Sequence, residues 1–327
     1  MRVLVTGGAG YIGSYLTQIL ADIGHNVVSI DSLRRPLSRH LPGPVATRKI
    51  DVRDTAAVRG LMLEHQTECV IHLAAVTFPS ESFREPAECK SINVGGTDSV
   101  LQAMLQAGVD RLVFASSCAV YGSSVSGAVD ESTPIAPVSP YGESKQAAEQ
   151  VIRDVISANV EVGAFALRFF NVAGGPCGPA DGGPLTAASR LFPVAIRSSL
   201  ESDTIVTIHG DNWPTPDGTC VRDFVHIDDV CNGIEAAMSR ISPGGLETVN
   251  LGSGTGHSVL QVIQSAEQAT GRPAQTMYGP RLSGDPAAIT ADIGRAGQLL
   301  DWRPQTSSMS EIAATVRFGD ELATPSD

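Results

Sequence analysis

Val3-Leu4-Val5-Thr6-Gly7-Gly8-Ala9-Gly10-Tyr11-Ile12-Gly13 stands almost at the head of the chain and decides its fold class. The apolar residues read as a buried strand. Gly7, Gly10 and Gly13 then turn the chain into an amphipathic helix from Tyr11 to about Ile23, closed by Gly24. Glycine allows a tight turn and close backbone approach, and the free N–H groups at a helix start can receive a pyrophosphate. This strand, turn and helix form the setting that a dinucleotide fingerprint requires, with Tyr11 and Ile12 on the phosphates. Asp31, with Ser32 beside it, ends the next apolar run, Val27 to Ile30. A carboxylate there accepts ribose hydroxyls and repels a 2′-phosphate, which predicts NAD over NADP despite Arg34 and Arg35 nearby. Asp51 and Val52 follow a weaker run from Val45 to Ile50 and are placed at the adenine.

Outward from this turn, apolar runs alternate with helical stretches. Asp54 to His65, Val94 to Gln106 and Pro140 to Ala158 read as helices, and Cys69 to Leu73, Arg111 to Ala115 and Val162 to Leu167 as strands. Continuous apolar strands between helices predict an α/β, Rossmann-type doubly wound parallel sheet. Residues 1–170 should form it, joined by parts of about 221–252, where Asp228 to Met238 reads as a helix and Val249 to Leu251 as a strand. Glycine- and proline-rich stretches such as Gly174-Gly175-Pro176 and Pro214 to Gly218 mark a smaller C-terminal substrate-binding lobe, 171–220 and 253–327.

Composition narrows the function. The chain has 327 residues, 42% hydrophobic and 18% charged, as expected of an ordinary globular protein. Its net charge of −12 argues against a nucleic-acid partner. No apolar run approaches the ~18–20 residues of a membrane span, and the N-terminus carries no leader pattern. The six cysteines, including Cys177, form no C-x-x-C pair, and His226 and His257 lack metal-ligand spacing. We therefore expect reduced thiols, a cytoplasmic protein and no metal site.

The chemistry concentrates at Ser139-Pro140-Tyr141-Gly142-Glu143-Ser144-Lys145. Ser139 suits an N-cap and Pro140 the first helical position, so Tyr141 falls in the first turn, on one face with Lys145. The helix dipole and the lysine ammonium both favour a phenolate, which would serve as a general base. Ser116 and Ser117 follow the fifth strand at the carboxyl edge of the sheet, where ligands of open α/β sheets bind.

With these residues stand His72-Leu73-Ala74-Ala75, Asn93-Val-Gly-Gly-Thr97, Ser116-Ser-Cys-Ala-Val-Tyr-Gly122, Leu167-Arg-Phe-Phe-Asn-Val-Ala173 and Val221-Arg-Asp-Phe-Val-His-Ile-Asp228. Together they resemble, over nearly the whole chain, the extended short-chain dehydrogenases/reductases, and among them the UDP-glucose 4-epimerases. The resemblance implies transient oxidation at sugar C4. Tyr141 would take the hydroxyl proton, hydride would pass to NAD⁺, and the 4-keto sugar would rotate before hydride returned. Ser117 would hold the sugar oxygen, and Lys145 the nicotinamide ribose. Leu73, Ala74, Ala75, Asn93, Ser116 and Phe169 would complete the cofactor site. Phe170, Asn171, Leu191, Arg222 and Asp285 would face the substrate. The helices Val94–Gln106 and Pro140–Ala158 resemble those that pair across family homodimers.

Cys118 and Ala119 occupy positions where related dehydratases and decarboxylases carry an acid, which favours simple epimerisation. Departures from the family gather at ligand contacts. Thr77 replaces a lysine, Arg190 an asparagine, Leu282 an arginine within Pro280 to Asp285, and His209 an aromatic near the uracil. Arg190 could restore the missing charge or read the carboxylate of a uronic-acid sugar. Ile289, near the position that gates N-acetyl sugars, predicts poor use of UDP-N-acetylglucosamine. A 4-epimerase of another nucleotide sugar, such as UDP-glucuronate or a UDP-pentose, and a non-catalytic NAD-binding protein remain the alternatives.

Overall fold

β1 (Arg2–Thr6), buried along four of its five residues, lies inside the main sheet and delivers the chain to Gly7 and α1 (Tyr11–Asp22). β2 (Asn26–Asp31), β3 (Thr47–Lys49), α2 (Thr55–His65) and β4 (Cys69–His72) follow. Next come α3 (Pro79–Arg84), α4 (Pro86–Lys90), a π-helical turn at Ser91–Gly95, and α5 (Gly96–Ala107). β5 (Arg111–Ser117) ends in a 3₁₀ turn, Cys118–Tyr121, before β6 (Gly127–Val129), α6 (Pro140–Ala158) and β7 (Gly163–Phe169). The later elements are β8 (Asn171–Ala173), α7 (Leu191–Leu200), β9 (Val206–His209), β10 (Val221–His226), α8 (Ile227–Arg240), β11 (Leu246–Leu251), β12 (Gly256–Ser258), α9 (Val259–Thr270), β13 (Thr276–Gly279) and β14 (Ala288–Ala291). The computed structural model describes residues 1–34, 47–123, 127–175, 190–282, 284–306, 308–318 and 321–322. Arg35, Val45, Cys177 and Ser283 lie outside the described residues, as does most of the glycine-rich stretch after Gly175.

Seven parallel strands form the main sheet in the order β11-β7-β5-β4-β1-β2-β3. β4 and β7 are buried along their whole length, which is why they read as apolar runs without alternation. Leu16 and Leu20 of α1 and Val230 and Ile234 of α8 belong to one hydrophobic core; Val58 of α2, Leu101 of α5 and Ile152 of α6 belong to a second. The sheet is therefore wound on both faces. β2 and β3 lie to one side of β1 and the remaining strands to the other, so a crevice opens where the order reverses, at the carboxyl edge.

One feature departs from the reading of the sequence, and two strands that it did not mark build a second sheet. β5 does not stop at Ala115; its ladder with β7 pairs Ser116 with Arg168 and Ser117 with Phe169, so both serines are strand residues. β10 belongs not to the main sheet but to a smaller one, with β12 and β14, while β8 pairs with it. β6, from the first half of the chain, also joins that smaller sheet through β14.

Asp223 on β10 ties this second sheet together. Fully buried, its carboxylate accepts from Ser253 N at 2.6 Å, Ser253 Oγ at 2.7 Å, Gly254 N at 2.9 Å and Ala291 N at 3.0 Å. Burial nonetheless holds its pKa above the usual carboxylate range. Each donor left unsatisfied in the interior costs about 1–3 kcal/mol. Asp223→Ala should therefore destabilise the fold by about 3 kcal/mol or more, read as a lower denaturant midpoint; an unchanged midpoint would remove Asp223 from this role.

Candidate active site

The crevice is a cleft of about 1070 Å³, larger than the ~300–1,000 Å³ of most single-ligand sites. Gly7, with φ +74°, begins its floor. A Cβ there would stand 2.8 Å from Ala74 N, and one on Gly13 would stand 2.1 Å from Gly7 O. Only glycine allows these backbones to approach so closely. No side chain caps the start of α1, so its first N–H groups face the cleft uncommitted to a cap. Asp31 accepts from Ala9 N at 3.1 Å and Leu33 N at 2.8 Å and lines the cleft beside the turn. Arg34 is engaged by Glu88 at 2.6 Å. The cradle, the uncapped helix start and the strand-end carboxylate fit a dinucleotide without a 2′-phosphate. At the far end lie Val52 and Asp51; Arg53, at 2.6 Å, holds the Asp51 carboxyl below the usual range.

Opposite the cradle, α6 presents Tyr141 and Lys145. Ser139 caps the helix by accepting from Gly142 N at 3.1 Å, and Pro140 takes the first position. Tyr141 N donates to Ser82 Oγ at 3.1 Å, which docks α3 against the helix start. Lys145 is 3% exposed, and its Nζ donates to Ala115 O at 2.7 Å. This is its single hydrogen bond among the described residues. The ammonium lies 4.9 Å from the Phe114 ring centre and 6.0 Å from that of Tyr141. Burial pulls the Lys145 pKa down to about 8.

Burial of the ring opposes the expected phenolate. Burial pushes the Tyr141 phenol up to about 12, and a hydrogen bond with Ser117 offsets only part of that rise. Desolvation penalises the charged form, which the helix start and a nearby ammonium favour. Burial likewise drives the Cys118 thiol up to about 12, so it stays neutral beside Ser117. His72 is pushed down to about 3 by burial and the nearby ammonium; neutral, it bridges Thr6 at 2.7 Å and Thr97 at 3.1 Å.

The cleft brings together every residue that the sequence placed at the site except two. Asn93 stands behind it, its amide donating to Ser144 Oγ at 2.8 Å and accepting from Val76 N at 2.7 Å. His209 lies on β9, drawn by pairing with β13 toward Pro280 O at 3.2 Å, and does not line the cleft. Arg222 meets Asp285 at 3.2 Å rather than its neighbour Asp223. Leu282 lines the cleft half exposed, while Arg281 stacks on Trp213 with 4.2 Å between guanidinium and ring centre. Arg190 lies over the Tyr11 ring at 3.3 Å, and its Nε is buried without a hydrogen-bond partner among the described residues. The reading of the sequence missed this stack, the buried Glu81 in the cleft wall, and Glu149 beneath it. Only Glu149 carried a signal: a carboxylate on the buried stripe of α6, one turn after Lys145.

Such a cleft is equipped for reversible oxidation of a secondary alcohol beside a bound dinucleotide. The chain belongs to the NAD dependent epimerase/dehydratase family, whose model matches residues 3–252. It is 36% identical to a UDP-glucose 4-epimerase of Halalkalibacterium halodurans over 95% of this chain and 93% of that one. The UDP-glucose 4-epimerase of Bifidobacterium longum, solved with NAD⁺ and UDP, superposes with a TM-score of 0.88 at 33% identity, covering 96% of each chain. MoeE5, solved with UDP-glucuronic acid and NAD, gives a TM-score of 0.80 at 32% identity over 97% of each.

Free tyrosine titrates near ~10. In cofactor-free protein, the ultraviolet titration difference between wild type and Tyr141→Phe should show no phenolate from Tyr141 below pH 10. A phenolate signal near neutrality would reverse the balance of burial and charge given above.

Proposed function

We propose that the protein is an NAD-dependent nucleotide-sugar 4-epimerase that interconverts UDP-glucose and UDP-galactose. The observation that carries this reading is the meeting of Ser117 and Tyr141 in the same cleft as the glycine cradle, with Lys145 buried beside them. The activity of its full-length relatives and the NAD and UDP held by its structural neighbours support it.

Tyr141 is the acid–base group: its phenolate, the form that the Lys145 ammonium favours against the pull of burial, takes the proton from the sugar 4-hydroxyl and later returns it. Ser117, hydrogen bonded to the phenol, holds the same sugar oxygen within its reach. Lys145 keeps a positive charge beside the ring and turns its uncommitted N–H donors toward the cofactor ribose. Bound NAD would supply the hydride acceptor at C4 and the hydride donor for its return. Between the two transfers the 4-keto sugar turns over, and walls such as Phe170 and Ile289 offer no side-chain hydrogen bond that would pin one face. Asn171 and Arg222 present an amide and a guanidinium suited to the substrate diphosphate. With Cys118 neutral and Ala119 inert, neither position supplies the extra acid or base that elimination or decarboxylation requires.

A second substrate reading, UDP-glucuronate, is favoured by one observation. Arg190 brings to the wall of the cleft a cation whose Nε has no hydrogen-bond partner among the described residues, and a carboxylate would satisfy it. MoeE5 has been solved with UDP-glucuronic acid and with UDP-glucose, so the likeness to it is compatible with either substrate. We also read the protein as a cytoplasmic homodimer paired through α5 and α6. Its buried thiols and the resemblance of these helices to paired ones support that reading, and light scattering should give twice the chain mass.

Purified protein incubated with UDP-galactose and no added NAD should form UDP-glucose at unchanged mass, followed by NMR. Absence of conversion even with NAD supplied would overturn the proposal. Tyr141→Phe should lower kcat by about 10²–10⁴-fold. Arg190→Asn separates the substrate readings: turnover of the uronate should fall at least about tenfold more than that of the hexose, and equal losses would dismiss the carboxylate role.

A further inference from the structure

Lys145 and Glu149 sit one turn apart on α6 and grip consecutive residues of β5. Lys145 Nζ donates to Ala115 O at 2.7 Å, and Ser116 Oγ donates to Glu149 Oε1 at 2.5 Å. The next residue along β5 is Ser117. Glu149 is itself fixed from the neighbouring strand. Arg168 of β7 donates through Nε to Oε1 at 3.0 Å and through Nη2 to Oε2 at 2.8 Å, with both side chains 3% exposed. The remaining arm of Arg168 reaches Tyr121 OH at 3.0 Å, and Tyr121 donates to Asn250 Oδ1 at 2.7 Å. Tyr121 closes the 3₁₀ turn that carries Cys118 and Ala119.

One buried carboxylate thus joins the end of β5, the catalytic helix, the 3₁₀ turn and the strand that leads to Asn171. A buried ion pair contributes little net stability compared with apolar side chains of the same shape, so stability alone does not account for this one. It fixes geometry: bidentate pairing sets both distance and plane.

We propose that Glu149 is a positioning residue for the epimerisation, holding Ser116, and through it Ser117, in register with Tyr141 and Lys145. This rests on the Ser117–Tyr141–Lys145 reading of the site. Glu149 also adds negative charge near the ammonium and raises the Lys145 pKa against the pull of burial. The other groups facing Lys145 are Tyr141 on its own helix, the thiol of Cys89 on α4, and neutral His72 on β4. Those facing Glu149 are Arg168, Tyr121 beyond it, and Ser116.

The test uses the NAD-loaded enzyme and the pH profile of kcat. Glu149→Gln keeps the shape and removes the charge. It should lower kcat at least tenfold with little change in KM, and the alkaline limb should move to lower pH as Lys145 loses its proton earlier. Glu149→Asp should keep that limb at its wild-type pH while still losing rate. Ser116→Ala leaves the ion pair intact; it should lower kcat without moving the limb, and it carries the test alone if Glu149→Gln does not fold. A folded Ser116→Ala variant with wild-type kcat overturns the proposal, as does a folded Glu149→Gln variant with wild-type kcat and limb. Tyr141→Phe is the control. If it retains full activity, the reading of the site has failed; if it is inactive while Ser116→Ala is not, only the positioning role has.

Discussion

The hydrogen bond from Lys145 Nζ to Ala115 O fastens a helix to the end of a strand, and the site hangs on that joint. An ammonium out of water must find compensation, and the carbonyl provides part of it. The chain is otherwise arranged to bring α6 to that point. Ser139 and Pro140 start the helix at the right residue, Ser82 docks its first turn, and the Asn93 amide supports Ser144 from below. With the helix fixed, Tyr141 has one place to be, against Ser117. Shifting α6 by a single turn would leave the cradle intact and the chemistry without its acid–base group.

Much of this was legible in the sequence because strong local signals coincide there with the demands of the fold. Gly7 and Gly13 read correctly since no other residue allows their backbones to approach so closely. Pro140 to Ala158 read to the residue because cap, proline and apolar stripe agree. What stayed hidden depends on contacts between distant segments. That β10 belongs to the smaller sheet, and that β6 joins that sheet through β14, is decided by strand pairing that no local pattern records. His209 went astray for the same reason: pairing with β13 carries it away from the cleft. For Tyr141 the sequence shows only one side of the balance: charge and dipole can be counted along a helix, whereas the opposing desolvation belongs to the assembled cleft.

The departures from the family pattern also fall into a spatial order. Around the glycine cradle and the Ser–Tyr–Lys face the wall is as the family resemblance implies. Arg190, Thr77 and Leu282, where the resemblance implies other residues, line the same cleft. Arg281, which might otherwise supply charge there, is committed to Trp213 and Asn212. Arg190 lies over the ring of Tyr11, which follows the glycine turn, so one of these departures touches the cofactor cradle directly.

The edge strand β11 bears on how the chain is made. β7 is buried along all seven residues: α6 and α8 pack on its faces, and β5 and β11 flank its two edges. As the polypeptide leaves the ribosome, β7 emerges well before Leu246–Leu251, with β8 through α8 still to come. Over that interval an apolar strand presents a row of unpaired backbone groups, the kind of edge on which other chains add. The nucleotide-binding half is therefore not a separable module. Cut before β11, the sheet would end on β7, buried along all seven residues in the finished fold; synthesis of β11 moves that edge to a strand whose first three residues, Leu246, Glu247 and Thr248, are only half-buried.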